Sequence, residues 1–222
     1  FDTVFVGIET PDEAALSESR KTQNLRRDLV EDVRKLHRAG LQVQAGFIVG
    51  FDSDTPGIFQ RQIDFIQRSG IVTAMVGLLQ APVGTRLYES LEAQGRLLTS
   101  ASGDNVDGST NVLTRMPTER LLAGYRSILH GVYAPEAYLE RVKTFLRDYR
   151  GPALRRGLDR EQLAAFGRSV VRLGILARGR LQFWRLLAWT LVHRPGHFPL
   201  AVKLWIYGHH FREVCRRRLS VA

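Results

Sequence analysis

Three apolar runs, each followed by a helix-patterned stretch, constrain this chain more than any other feature. The first is Val4-Phe5-Val6-Gly7-Ile8, with Glu9, Thr10 and Pro11 after it. The second alternates through Leu41, Val43 and Ala45, then runs as Phe47-Ile48-Val49 into Gly50. The third is Ile71 to Leu79, ahead of Gln80-Ala81-Pro82-Val83-Gly84-Thr85. Short apolar runs bounded by turn residues read as buried strands. Between them, Leu25, Leu29, Val33 and Leu36 recur at helical spacing up to Gly40, with Thr22 or Asn24 as the expected cap. Phe59, Ile63 and Ile66 mark another helix, capped by Ser53 or Thr55 and closed by Gly70. Connections of this length demand parallel strands and right-handed crossovers. Glu9-Thr10, Gly50-Phe51-Asp52 and Gln80-Ala81-Pro82 are then expected on one rim, the end of the strands where α/β folds bind ligands. At this level Thr10 and Asp12 have a second reading, as caps of a helix that starts after Pro11. Three strands leave apolar edges open, and Phe1 already stands in core-like sequence, so further strands are expected from a segment ahead of it.

Past the third unit, a short helix carries Leu87 and Leu91 and ends at Gly95. From Thr99 to Asn111 the composition turns to Ser, Gly, Asp, Asn and Thr, which reads as a linker or a long functional loop. Asp107 and Asn111 there either close over the rim or form local Asx turns. The rest reads as helical. Pro117 opens a helix through Leu121, Tyr125, Ile128 and Val132, and Pro135 another through Tyr138, Val142, Phe145 and Tyr149. Asp159 caps a third, with Leu163, Phe166, Val170 and Leu173. Residues 181–193 and 199–214 are two more, with Trp184, Trp189 and Trp205 expected in the core. The organisation is therefore 1–97 as an α/β unit, 98–115 as a linker or active-site loop, and 116–222 as an all-helical basic domain.

Charge separates these regions. The chain carries a net +10, and residues 151–222 alone hold 14 Lys/Arg against 3 Asp/Glu. Such a surface meets an anionic membrane, an acidic partner or nucleic acid, or is simply a solvated helical face. Nucleic acid has only charge in its favour and no recognition motif. A single cysteine, Cys215, excludes a disulfide framework and a cysteine metal cluster within these residues, and suits a reduced thiol in a cytoplasmic protein. Arg185, His193, Lys203 and His209 interrupt the apolar stretches, against a membrane span. His193 and His197 flank Pro195-Gly196, which breaks helical metal-ligand spacing, so no metal site is expected.

Taken in order, the motifs resemble a known family. Val6-Gly7-Ile8-Glu9-Thr10 followed by Lys21-Thr22-Gln23-Asn24 looks like the fourth strand and loop of radical S-adenosylmethionine enzymes. Gly46-Phe47-Ile48-Val49-Gly50-Phe51-Asp52-Ser53-Asp54-Thr55 resembles their fifth strand, and Gln80-Ala81-Pro82-Val83-Gly84-Thr85-Arg86-Leu87-Tyr88 their sixth, with its Pro-x-Gly-Thr turn. Asp107-Gly108-Ser109-Thr110-Asn111, Tyr125 and Tyr133-Ala134-Pro135 are similar to the C-terminal domain of the branch with an N-terminal cobalamin-binding domain, which includes enzymes associated with hopanoid biosynthesis.

The resemblance implies an α/β fold: the C-terminal half of a partial TIM-like (β/α)6 barrel with parallel strands, followed by an all-helical domain. It implies S-adenosylmethionine, a [4Fe–4S] cluster whose Cys-x3-Cys-x2-Cys ligands lie upstream, and cobalamin in a domain further upstream. An electron donor such as ferredoxin or flavodoxin and a small, apolar substrate follow from it. The expected cofactor contacts are Glu9 (ammonium or ribose), Thr10 beside it, Lys21 (carboxylate), Gly50 (backbone near adenine) and Gln80 (cofactor or substrate). At position 46, where some members carry an acidic ribose ligand, this chain has Gly46. No catalytic residue is assigned, and the chain alone is not expected to be competent. The other function class is a basic helical module, residues 151–222, docking on an anionic membrane surface or a partner.

Overall fold

The computed structural model describes residues 1–98, 108–153 and 166–219. The three apolar runs form β1 (Thr3–Glu9), β2 (Gln42–Val49) and β3 (Thr73–Leu78), one sheet in the order β1-β2-β3. Both pairings are parallel. Gly7 lies opposite Gly46, and the register slips between Gly7 and Glu9, where β1 ends.

The helices are α1 (Glu13–Glu18), α2 (Leu29–Arg38), α3 (Ile58–Ser69), α4 (Arg86–Ala93), α5 (Thr118–Tyr133), α6 (Pro135–Asp148), α7 (Arg180–His193) and α8 (Phe198–Leu219). Two capping expectations are corrected. Thr22–Asn24 is a 3-10 turn of its own, and Asp28 caps α2 by accepting from Glu31 N at 3.0 Å. The first turn of α3 has no side-chain cap; the carbonyl of Thr55 accepts from Ile58 N instead. Asp12 does cap α1, and Thr85 caps α4 by accepting from Tyr88 N at 3.2 Å. The stretch 170–176, expected to continue a regular helix, is π-helical. Asp107, Asp159 and Leu163 lie outside the described residues.

Strand periodicity decides which face is covered. Val43, Ala45, Phe47 and Val49 of β2 and Ala74, Val76 and Leu78 of β3 are buried against helices, as is Ile8 of β1. α2 and α3 pack on β2, α5 packs on β3, and α6 forms a further layer on α2, α3 and α5. The opposite face is open: Phe5 is 60% exposed, and its ring edge covers Gly46.

Residues beyond 116 share this core, because one continuous apolar cluster runs from Ile8 through Tyr133 and Tyr138 to Trp205. Tyr133 fixes α5 to the sheet by donating from its hydroxyl to Ala74 O at 2.8 Å. Arg141 is fully buried and donates to Val132 O (2.6 Å) and Gln67 Oε1 (2.8 Å) beside the rings of Tyr133 and Tyr138. Arg212 donates from Nε to Tyr133 O at 2.9 Å. Two guanidinium groups thus sit at the C-terminal, negative end of α5, where the unpaired carbonyls compensate their burial.

Trp205 is core as expected and Trp189 is partly buried. Trp184 is not in the core: it is 46% exposed, on the outer face of α7.

Candidate functional site

The rim at the C-terminal ends of the strands holds a cleft of about 780 Å3. Ile48, Phe51, Leu79, Leu91 and Val112 supply its apolar lining; Glu9, Lys21, Gln80, Arg86, Arg96 and Arg115 are among its polar groups. The structure therefore brings three of the five expected site residues together, Glu9, Lys21 and Gln80.

Glu9 is the most constrained. Its φ of 67° is left-handed, a region that costs a residue with a side chain about 1–2 kcal/mol. The next residue turns sharply, with Thr10 N donating to Ile8 O at 2.9 Å. This geometry folds the Glu9 carboxylate back over Gly7, where a Cβ would stand 2.6 Å from Oε1. A side chain at position 7 would therefore displace the carboxylate from this position. Lys21 Nζ meets the same Oε1 at 3.0 Å, with the Glu9 side chain 15% exposed. The loop carrying Lys21 is tied to β1 by Asn24, whose Nδ2 reaches Gly7 O and Ile8 O, both at 3.4 Å. Strained backbone of this kind clusters at ligand sites.

Thr10 and Gly50 stand elsewhere. Thr10 is fully buried and its hydroxyl accepts from Asp12 N at 3.2 Å, a local turn ahead of α1; of the two caps read from the sequence it is Asp12, not Thr10, that caps the helix. Gly50 has φ 111°, and a Cβ there would meet Leu79, Leu121 and Thr114, each at 3.4 Å. Its N–H donates to Asp54 Oδ2 at 2.8 Å. Neither residue lines the cleft.

Gln80 approaches the 108–113 segment: Nε2 donates to Ser109 O at 3.3 Å. Asn111, buried, pairs with both backbone groups of Ala81 at 2.9 Å, and Thr110 Oγ1 donates to Leu79 O at 2.6 Å. Asn111 therefore closes the loop onto the end of β3 and makes a sheet-like pair instead of an Asx turn.

Several residues that build the cleft carry no local sequence signal. Asp52 forms a two-bond pair with Arg96, at 2.7 and 2.6 Å, and meets Arg115 at 3.2 Å. The Arg96 guanidinium, followed by that of Arg115, holds the Asp52 carboxyl below the usual carboxylate range. Glu18 of α1 accepts from Asp52 N and Ser53 N, both at 2.9 Å, and pins the loop after β2. Asp54 closes that loop from within and accepts from Gly50 N and Phe51 N. Burial pushes its carboxyl up to about 6, and its second oxygen has no partner.

Chemically, the cleft offers an adjacent carboxylate and ammonium, a side-chain amide and an apolar floor. A free α-amino acid group presents the complementary pair, an ammonium for Glu9 and a carboxylate for Lys21. Thiolate ligands are another matter: Cys215 of α8 is packed against the core away from the cleft lining, so a four-iron cluster does not fit this chain's residues. Among the described residues no group of three His, Cys, Asp or Glu is placed to hold a metal ion.

Comparison with known proteins gives the chain a family. An uncharacterized methyltransferase of Synechocystis sp. is 32% identical over 228 residues, 99% of this chain and 42% of that protein. The hopanoid C-2 methylase of Rhodopseudomonas palustris is 30% identical over 218 residues, 95% of this chain and 40% of that protein. The bacteriochlorophyllide d C-12(1)-methyltransferase of Chlorobaculum tepidum is 26% identical over 140 residues, 62% of this chain and 30% of that protein. The chain thus spans well under half the length of each of these relatives. Residues 85–220 match the family described as Domain of unknown function (DUF4070). With more than half of its length matched, the chain belongs to that family, a domain found in cobalamin-binding radical S-adenosylmethionine methylases.

Proposed function

We propose that this chain is the C-terminal part of a radical S-adenosylmethionine methylase acting on a small, apolar molecule. In this reading the sheet is part of a partial (β/α)6 barrel, its open face turned inward. The observation that carries it is the Glu9–Lys21 pair, held in strained backbone at the C-terminal rim of a parallel sheet. The relatives, named as methyltransferases of a hopanoid and of a bacteriochlorophyllide, support the reaction class and an apolar substrate.

Glu9 accepts from the cofactor's ammonium, Lys21 donates to its carboxylate, and Gln80 orients cofactor or substrate from the rim. Ile48, Phe51 and Leu79 exclude water behind them. Thr10 contributes through the turn that presents Glu9, and Gly50 through the bend that aims the loop after β2. A cluster held upstream would supply reductive cleavage of S-adenosylmethionine, and cobalamin held there would supply the methyl carrier. No ligand to either is assigned in this chain, and the electron comes from a donor such as ferredoxin or flavodoxin. Residues 1–97 then act as barrel, 98–115 as the loop closing it, and 116–222 as the helical domain that braces it, in a cytoplasmic enzyme.

The test is anaerobic incubation of the complete, reduced protein with S-adenosylmethionine. Formation of 5′-deoxyadenosine is expected. A cluster-loaded protein that binds S-adenosylmethionine but never yields 5′-deoxyadenosine would overturn the reading.

A further inference from the structure

α7 is apolar on both sides. Phe183, Leu186 and Leu187 face the core, but Leu181, Trp184 and Leu191 face outward, and Leu181 is 63% exposed. These outward residues recur at i, i+3 and i+10, so they form one stripe along the helix. The preceding π-helical stretch adds Val171, Ile175 and Leu176, the last 74% exposed. Trp184 joins the two elements, because its Nε1–H donates to Gly174 O at 3.0 Å. The result is a continuous apolar face with an indole at its centre, a larger exposure than scattered surface residues explain.

The rim of this face is cationic. Arg168, Arg172, Arg178, Arg180 and Arg185 flank it, and none has an ion-pair partner among the described residues. Glu213 is the one acidic residue in the sequence from 166 to 219. A second copy of the chain does not suit this surface: a two-fold contact through the apolar stripe would set these arginines against their own copies. An anionic bilayer surface suits both features, taking the apolar side chains below the headgroups and neutralising the guanidinium groups above. Trp is the side chain favoured at that depth. No helix among the described residues is long and apolar enough to cross a membrane, so the contact lies in the plane of the surface.

We propose that residues 171–191 are a monotopic docking face that seats the protein on anionic lipid. The π-helical stretch and α7 lie flat against the headgroups, with Leu176 and Leu181 deepest at the tip where the two elements meet.

Co-sedimentation of the complete protein tests this, with vesicles of phosphatidylcholine alone and of phosphatidylcholine mixed with phosphatidylglycerol. Binding is expected to the mixed vesicles, and added salt should release it. Ile175→Glu with Leu181→Glu should abolish binding without changing the melting temperature. Replacing Arg172, Arg180 and Arg185 by Gln should weaken it by about fivefold per residue. Three results would each overturn the proposal. One is no binding to either vesicle. A second is binding unchanged in the Ile175/Leu181 variant. The third is a lower melting temperature or a lost dimer in that variant, showing that protein, not lipid, covers the face.

Discussion

Replacing Glu9 by Ala, Gln and Gly separates strain, ion pairing and ligand binding, because each variant removes a different combination. Glu9→Ala removes the pair with Lys21, a partly exposed contact of the kind worth up to about 1 kcal/mol. It leaves a side-chain-bearing residue at φ 67°. Glu9→Gly removes the same pair and also releases the left-handed strain. Relief of about 1–2 kcal/mol, less roughly 0.5–1 kcal/mol for the extra freedom of unfolded glycine, leaves Gly the more stable of the two. Glu9→Gln keeps an acceptor. For S-adenosylmethionine the order differs: Ala and Gly should both weaken binding by about 1.5–3 kcal/mol, the usual scale for a hydrogen bond to a charged group, which is roughly tenfold or more in Kd. Gln should lose less. Melting curves and calorimetric titration of S-adenosylmethionine into the complete protein read the two orders independently. A Gly variant melting below the Ala variant would refute the strain argument. Affinity unchanged in all three would make Glu9 a structural carboxylate.

Two buried groups should push the pH dependence of stability in opposite directions over about 4–6. Burial lowers His37 to about 4 and raises Asp54 to about 6. The histidine's contribution is lost as pH falls below about 6.5, whereas the aspartate's is lost as pH rises from about 3.8 through 6. Asp54→Asn should therefore expose a loss of stability on acidification, and His37→Leu a loss as pH rises, both read from denaturant melts across that window. Asn111→Ala leaves two buried backbone groups of Ala81 unpaired and should cost about 2–3 kcal/mol, with faster proteolysis beside the 108–113 segment. Arg141→Ala should cost about 2–4 kcal/mol by leaving Val132 O and Gln67 Oε1 without donors; a loss under about 1 kcal/mol in the same melts would mean that the guanidinium's own burial cancels its bonds.

The three strands were legible because each is a continuous apolar run between turn residues, a pattern local to a few positions. So was the rim, since parallel crossovers fix which strand ends coincide. That placement pointed to Glu9 and Gln80 and the motif order to Lys21, and the three line one cleft. The caps were less legible: Asp28, not Thr22 or Asn24, starts α2, because the 3-10 turn uses the earlier polar residues. Asp52 with Arg96, and Glu18 with the Ser53 backbone, are pairs separated by tens of residues, and no spacing rule announces them. The Glu9 conformation was hidden for a different reason, since left-handed backbone at a carboxylate is imposed by tertiary contacts and not by propensity. Trp184 misled because an apolar helix normally turns its aromatic residues inward; here both faces are apolar, so periodicity could not tell inside from outside.

The most direct measurement is a crystal structure of the complete protein with S-adenosylmethionine bound. The methionine ammonium should lie within hydrogen-bond distance of the Glu9 carboxylate, with the cofactor's carboxylate at Lys21 Nζ and its body in the cleft over Ile48, Phe51 and Leu79. Cofactor bound away from this rim, with the Glu9–Lys21 pair intact and touching no ligand, would contradict the assignment.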